Sequence, residues 1–152
     1  MADSIGSPGK PEVGLLEQKQ VVAAILLRED RVLICQRTED QPFALQWEFP
    51  GGKVEAGEEP VAALERELHE ELGIRAVIGA KIATVRHRYK QETRDEELAV
   101  ELHFFLVREY RGEIENRIFR QVRWEERAAL DAESFLEADR DVVRQLKSGE
   151  HA

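Results

Sequence analysis

Two stretches of the chain, residues 21–28 (VVAAILLR) and 98–110 (LAVELHFFLVREY), are apolar with few interruptions. The first is nearly continuous, as expected of a strand buried on both faces, and predicts the centre of a sheet. Residues 31–37 form another β-rich run, and the intervening Glu29-Asp30 predicts a hairpin. After it TEDQPFALQ is a loop, followed by the short aromatic segment Trp47-Glu48-Phe49. Residues 75–89 are again β-prone, KQETRDEE is too polar to be core, Arg111-Gly112 is a turn, and residues 113–124 supply one further strand or a pair.

A different period governs residues 60–72, PVAALERELHEEL. Pro60 suits the first helical position and Gly73 the position just past the end, which predicts a helix. On a 3.6-residue wheel Val61, Leu64, Leu68 and Leu72 share one stripe, and Glu67, Glu70 and Glu71 fill an arc of about 100° beside it. This predicts a helix that packs by one flank and displays three carboxylates by the other. A second helix is predicted at residues 138–146, where Val142, Val143 and Leu146 fall on one side.

A chain of 152 residues, 42% hydrophobic, suits one domain with an adequate core. Residues 1–17 read as a flexible leader, 18–148 as a single domain and 149–152 as a flexible tail. The net charge of −9 disfavours a nonspecific binder of phosphate backbones and requires local cations for any anionic substrate. Cys35, the one cysteine, lies in an apolar run and reads as core; with no disulfide, a reducing compartment fits. No stretch approaches a membrane span or a signal peptide, so a cytoplasmic location is expected. His87 and His103 are remote from the acidic helix and read as structural.

The acidic helix carries the candidate chemistry. Glu67 and Glu71 stand four residues apart, a spacing that costs a few tenths of a kcal/mol when both are charged, and Arg66 offsets part of this through Glu70. Taken alone, such an arc is an ordinary solvated face. A hard divalent cation converts the repulsion into ligation, since Mg²⁺ binds carboxylates together with water and phosphate oxygens. Upstream, Pro50-Gly51-Gly52 lets backbone approach closely.

Gly52, then Glu58, Arg66-Glu67-Leu68, Glu70-Glu71, Leu72, Gly73 and Ile74 reproduce in spacing the signature of the Nudix hydrolases, which this chain resembles over its whole predicted domain. Such a match arises by chance in roughly one of a hundred thousand chains of this length. The resemblance implies an α/β (α+β) fold, with a mixed sheet between the signature helix and a C-terminal helix. It implies Mg²⁺, replaceable by Mn²⁺, as cofactor. It also implies that Glu67, Glu70, Glu71 and the Gly52 carbonyl hold the metal, that Arg66 orients the carboxylates, and that Glu58 is supportive. Any of the three glutamates could also take the proton of the attacking water.

WEFPGGK is similar to the MutT-like branch, which cleanses nucleotide pools. There Arg37 matches an arginine on the base, Lys53 a lysine near the phosphates and Asp139 a base-reading asparagine or aspartate. Asp139 could alternatively cap the C-terminal helix. The branch implies hydrolysis of a nucleoside triphosphate to a monophosphate and pyrophosphate, with oxidised guanine (8-oxo-dGTP) or cytosine as base. The nucleotide is the only partner implied: a monomer or weak homodimer is expected, with no membrane and no stable nucleic-acid complex. One departure stands out. Relatives place a glutamate six residues before the tryptophan matching Trp124, where this chain has Ile118, and Arg120 replaces a common glutamine; Glu115 could substitute through a bulged loop. Alternative readings are another Nudix substrate, such as ADP-ribose, an RNA 5′ end or a dinucleoside polyphosphate, the last favoured by Tyr89, and a noncatalytic nucleotide binder.

Overall fold

The computed structural model describes residues 18–90 and 97–151, so the leader and most of the KQETRDEE segment lie outside the described residues. Strand β1 (Gln18–Arg28) and strand β2 (Arg31–Gln36) form the expected hairpin. Along β1, Val22, Ala24 and Leu26 enter one core, while Ala23, Ile25 and Leu27 enter another on the opposite face. Both faces are covered, which is why the run shows no polar alternation.

β6 (Glu97–Arg111) lies parallel to β1 from Gln18↔Ala99 to Leu26↔Val107, and β5 (Arg75–Lys90) runs antiparallel on the far side of β6. On its other edge β1 pairs with β4 (Gly51–Lys53). β2 stays with β1 only through Leu27↔Val32 and Arg28↔Arg31. It then departs to pair with β3 (Trp47–Glu48) and β7 (Gln121–Glu126). The mixed sheet therefore splits into two wings joined at the hairpin.

Helix α1 (Pro60–Leu72) covers one core and α2 (Arg140–Lys147) the other, the sandwich expected of the sequence. Pro60 opens α1, and Gly73 closes it at φ 74°, its N–H bonded to the His69 carbonyl. The packed stripe is rotated from the predicted one. Val61 is 41% exposed in the first turn, whereas Ala63, Leu64, Leu68, Leu72 and also Glu71 are buried. The rotation turns the edge of the acidic arc inward against the sheet.

Residues 113–120 correct a second expectation, for they form a loop and only Gln121–Glu126 is strand. The backbone N–H groups of Glu115 and Arg117 donate to the Leu72 and Glu71 carbonyls, and the Arg117 guanidinium donates to His69. They thus satisfy the open end of α1 in place of a ladder. Asn116 and Phe119 close the loop with two mutual hydrogen bonds of 2.8 Å. The residues after α2, expected as a tail, carry bonds from Gly149 N–H to Leu146 and from Glu150 N–H to Gln145, and Arg127 donates to the Leu146 and Glu150 carbonyls.

Candidate active site

Pairing of β4 with β1 brings Gly51 and Gly52 beneath α1. A Cβ on Gly51 would strike the Val22 carbonyl oxygen, and one on Gly52 would lie 2.5 Å from both carboxylate oxygens of Glu67. Two helix carboxylates therefore rest directly on strand backbone. The Gly51 N–H donates to Glu71 Oε1 at 3.2 Å. Glu71 also shares a hydrogen bond with Glu67, and burial, that bond and the charges of Glu67 and Glu48 push its pKa up to about 9.

Arg66 does more than the Glu70 pairing expected of it. Its guanidinium donates to Glu58 at 2.8 and 3.0 Å, to Glu67 at 2.9 Å and to the Lys53 carbonyl at 3.0 Å, with a longer 3.4 Å bond to Glu70. These bonds clamp the loop before α1 to the helix. Glu58, hydrogen-bonded to Arg66 and to the Glu55 N–H, has its pKa lowered to about 2. Glu70 is the most exposed of the three signature carboxylates and leans toward Arg66.

A cavity of about 490 Å³ opens between the two wings of the sheet. Gly52, Lys53 and Glu71 line it, and so do Arg37, Glu48 and Asp139. Asp139 is drawn there because residues 135–136 attach to β3, with Leu136 N–H donating to the Trp47 carbonyl. It does not cap α2 through its side chain; it accepts a hydrogen bond from the Phe49 N–H. Only 3% of Asp139 is exposed, and burial followed by the Glu48 charge pushes its pKa well up. Arg37 donates to Glu48 at 3.1 Å and to the Pro42 carbonyl at 2.8 Å.

Glu48 was not singled out from the sequence. Burial raises its pKa, with Arg37 acting in the opposite direction. The available signal was a single carboxylate inside the apolar triplet Trp47-Glu48-Phe49, which must be buried with a partner if the segment is core. Phe43, Tyr89 and Ile118 also line the cavity. Glu115 does not: it lies at the C-terminal end of α1, paired with Arg117 at 2.9 Å. The loop spends its backbone donors on that helix end, so the bulge needed to bring Glu115 inward is absent, and Ile118 occupies the wall.

As these side chains stand, no three acidic, histidine or cysteine groups among the described residues converge to enclose an ion. The donor set nevertheless fits a hard divalent cation. Glu67 sits over Gly52, where any Cβ would intrude, and shares a hydrogen bond with Glu71, whose pKa is raised beside it. A cation at that point satisfies both carboxylates without protonation, and Glu70 is one helical turn from Glu67.

The NUDIX domain model matches residues 17–146. Over 133 residues the chain is 39% identical to the 8-oxo-dGTP diphosphatase of Haemophilus influenzae, covering 87% of this chain and 93% of that protein. It is 37% identical over 105 residues to the CTP pyrophosphohydrolase of Escherichia coli, covering 69% of this chain and 73% of the relative. The solution structure of the Escherichia coli ORF135 protein superposes with a TM-score of 0.72 at 28% identity, covering 93% of this chain and all of the other. The chain belongs to the Nudix hydrolase family, broadly in its MutT-like branch. That fold implies dependence on Mg²⁺.

Proposed function

We propose that this protein hydrolyses nucleoside triphosphates to nucleoside monophosphates and pyrophosphate, with a modified or noncanonical base as the discriminated feature. The observation that carries the reading is that one cavity is lined both by Glu71, the buried carboxylate hydrogen-bonded to Glu67 and to the Gly51 N–H, and by the polar side chains of Arg37, Glu48 and Asp139. The relatives named above, one acting on 8-oxo-dGTP and one on CTP, support the substrate class.

Glu67, Glu70, Glu71 and the Gly52 carbonyl would hold the divalent ion, which when bound would neutralise phosphate oxygens and acidify water. Arg66 fixes Glu67 and Glu70 in place. Lys53, on the rim of β4, offers its ammonium to the phosphates, and Arg37 and Asp139 face the base. The negative protein thus presents two cationic side chains along the cavity, which lowers the cost of admitting a polyanion. Turnover with pyrophosphate and phosphate measured separately tests the reaction. In ¹⁸O-labelled water the label is expected in pyrophosphate, from attack on the β-phosphorus; label in the monophosphate would reject that bond assignment.

Asp139 sets the base preference in this reading. Burial and the Glu48 charge favour its protonated form, which both donates and accepts, whereas a base edge rich in donors would favour the carboxylate, which only accepts. Asparagine retains the neutral pattern but cannot ionise. Asp139→Asn is therefore expected to keep the fold and to change the ratio of kcat/KM between 8-oxo-dGTP and CTP by about tenfold, equivalent to about 1.4 kcal/mol. Parallel kinetics decide it, an unaltered ratio leaving Asp139 without a part in base reading.

A further inference from the structure

Phe43 adopts φ 57° and Leu45 φ 66° in the loop between β2 and β3, a left-handed conformation that bulky L-residues avoid. Burial does not compensate, because Phe43 is 39% exposed and Leu45 44% exposed. The loop is nevertheless firmly held. Gln36 Nε2 donates to the Leu45 carbonyl at 3.0 Å, Arg37 Nε to Pro42 at 2.8 Å, and Thr38 N–H to Gln41 Oε1 at 2.8 Å. What the conformation achieves is placement: the Phe43 ring lines the cavity, its centroid 5.0 Å from that of Tyr89 and tilted 54° to it.

A neighbouring part of the lining is supplied by the loop before β7. Ile118, 48% exposed, and Phe119 line the same cavity. An ion pair of 2.6 Å joins the two loops, from Arg120 Nη1 to Glu39 Oε2, and the Arg120 N–H donates to the Gln36 carbonyl at 2.9 Å. Exposed apolar side chains thus stand at the rim of a cavity whose interior is charged. A flat heterocycle suits both parts, with its face against aromatic and aliphatic carbon and its edge against Arg37, Glu48 and Asp139.

We infer that Phe43 is a contact for the face of the substrate's base, held in position by the Glu39–Arg120 bridge across the mouth. The inference rests on the nucleotide reading above and adds to it a determinant of affinity outside the signature. Arg120 acts through Glu39 and the loop, so it is a positioning residue. Ile118, in the place of the relatives' glutamate, belongs to the apolar side of this mouth and takes no proton from water.

Phe43→Gly separates a ligand contact from a structural role, since glycine accepts φ 57° without strain. Calorimetric titration with the nucleoside monophosphate product is expected to show affinity weakened roughly tenfold. KM for the triphosphate should rise by a similar factor with kcat nearly unchanged, and the melting temperature should hold or rise. Phe43→Tyr is expected to keep the original affinity. Arg120→Glu should raise KM a few-fold, and the double variant Glu39→Lys/Arg120→Glu should restore it. Unchanged monophosphate affinity in Phe43→Gly, beside an active unmodified protein, would overturn the ring contact alone. An unmodified protein that turns over no nucleoside triphosphate would overturn the functional reading together with the contact that rests on it.

Discussion

Glu71→Gln is expected to lower kcat/KM by at least about a hundredfold, the scale of losing one preorganised charge from a phosphoryl-transfer site. The amide fits the same space and still accepts from the Gly51 N–H, so the fold is expected to survive. A second readout concerns stability. The folded-state pKa of Glu71, about 9, lies far above its ordinary 4.5, so protonation favours the folded state. That contribution is complete below about pH 4.5, declines as pH rises, and is lost above about pH 9. In chelating buffer the melting temperature of the unmodified protein should therefore fall across this window. Asp139 adds a slope of the same sign, so the comparison is between proteins: Glu71→Gln should show the shallower fall. Added Mg²⁺ should raise the unmodified protein's melting temperature most at high pH. Near-normal kinetics at limiting Mg²⁺ would remove Glu71 from the metal site, and identical slopes would remove its protonation from the stability of the fold.

The two neighbouring glycines should fail in different ways. In Gly51→Ala the new methyl meets only backbone, the Val22 carbonyl and, at 2.8 Å, Ala23 Cα. Neither atom can yield without separating β4 from β1, whose other edge is already paired with β6. A loss of about 3 kcal/mol or more is expected in denaturant unfolding. In Gly52→Ala the obstacle is the end of the Glu67 side chain, which can swing aside at small cost. Stability should then change by about 1 kcal/mol or less, whereas kcat/KM should drop about tenfold or more because Glu67 no longer rests over the strand. A Gly52→Ala protein with ordinary kinetics would show that the Glu67 position over β4 is irrelevant to turnover.

The parts of the molecule that could be read from sequence are those where one local rule dominates. β1 was legible because burial on both faces leaves an unbroken apolar run, and α1 because Pro60 and Gly73 mark its ends. The inward turn of Glu71 was not. A helical wheel gives relative angles, and the absolute rotation is set by the glycine strand beneath, where a carboxylate takes the place of the absent side chain. Residues 113–120 looked like strand by composition, but their amides serve the end of α1, a tertiary demand. Glu48 and Arg37 meet across 11 positions and Glu39 and Arg120 across 81, so nothing in local pattern joins either pair.

The early parting of β1 and β2 divides labour between the wings. Gly51, Gly52 and Lys53 belong to the wing built on β1, with α1 laid over it, while Arg37, Glu48 and Ile118 belong to the wing built on β2, β3 and β7. Both wings line one cavity, and between β1 and β2 the ladder has only the hairpin's two rungs. Under the proposed reading, hydrolysis and base recognition therefore fall to different strands: residues on the β2 side are expected to be exchangeable for a different base while the backbone beneath the α1 carboxylates stays where it is.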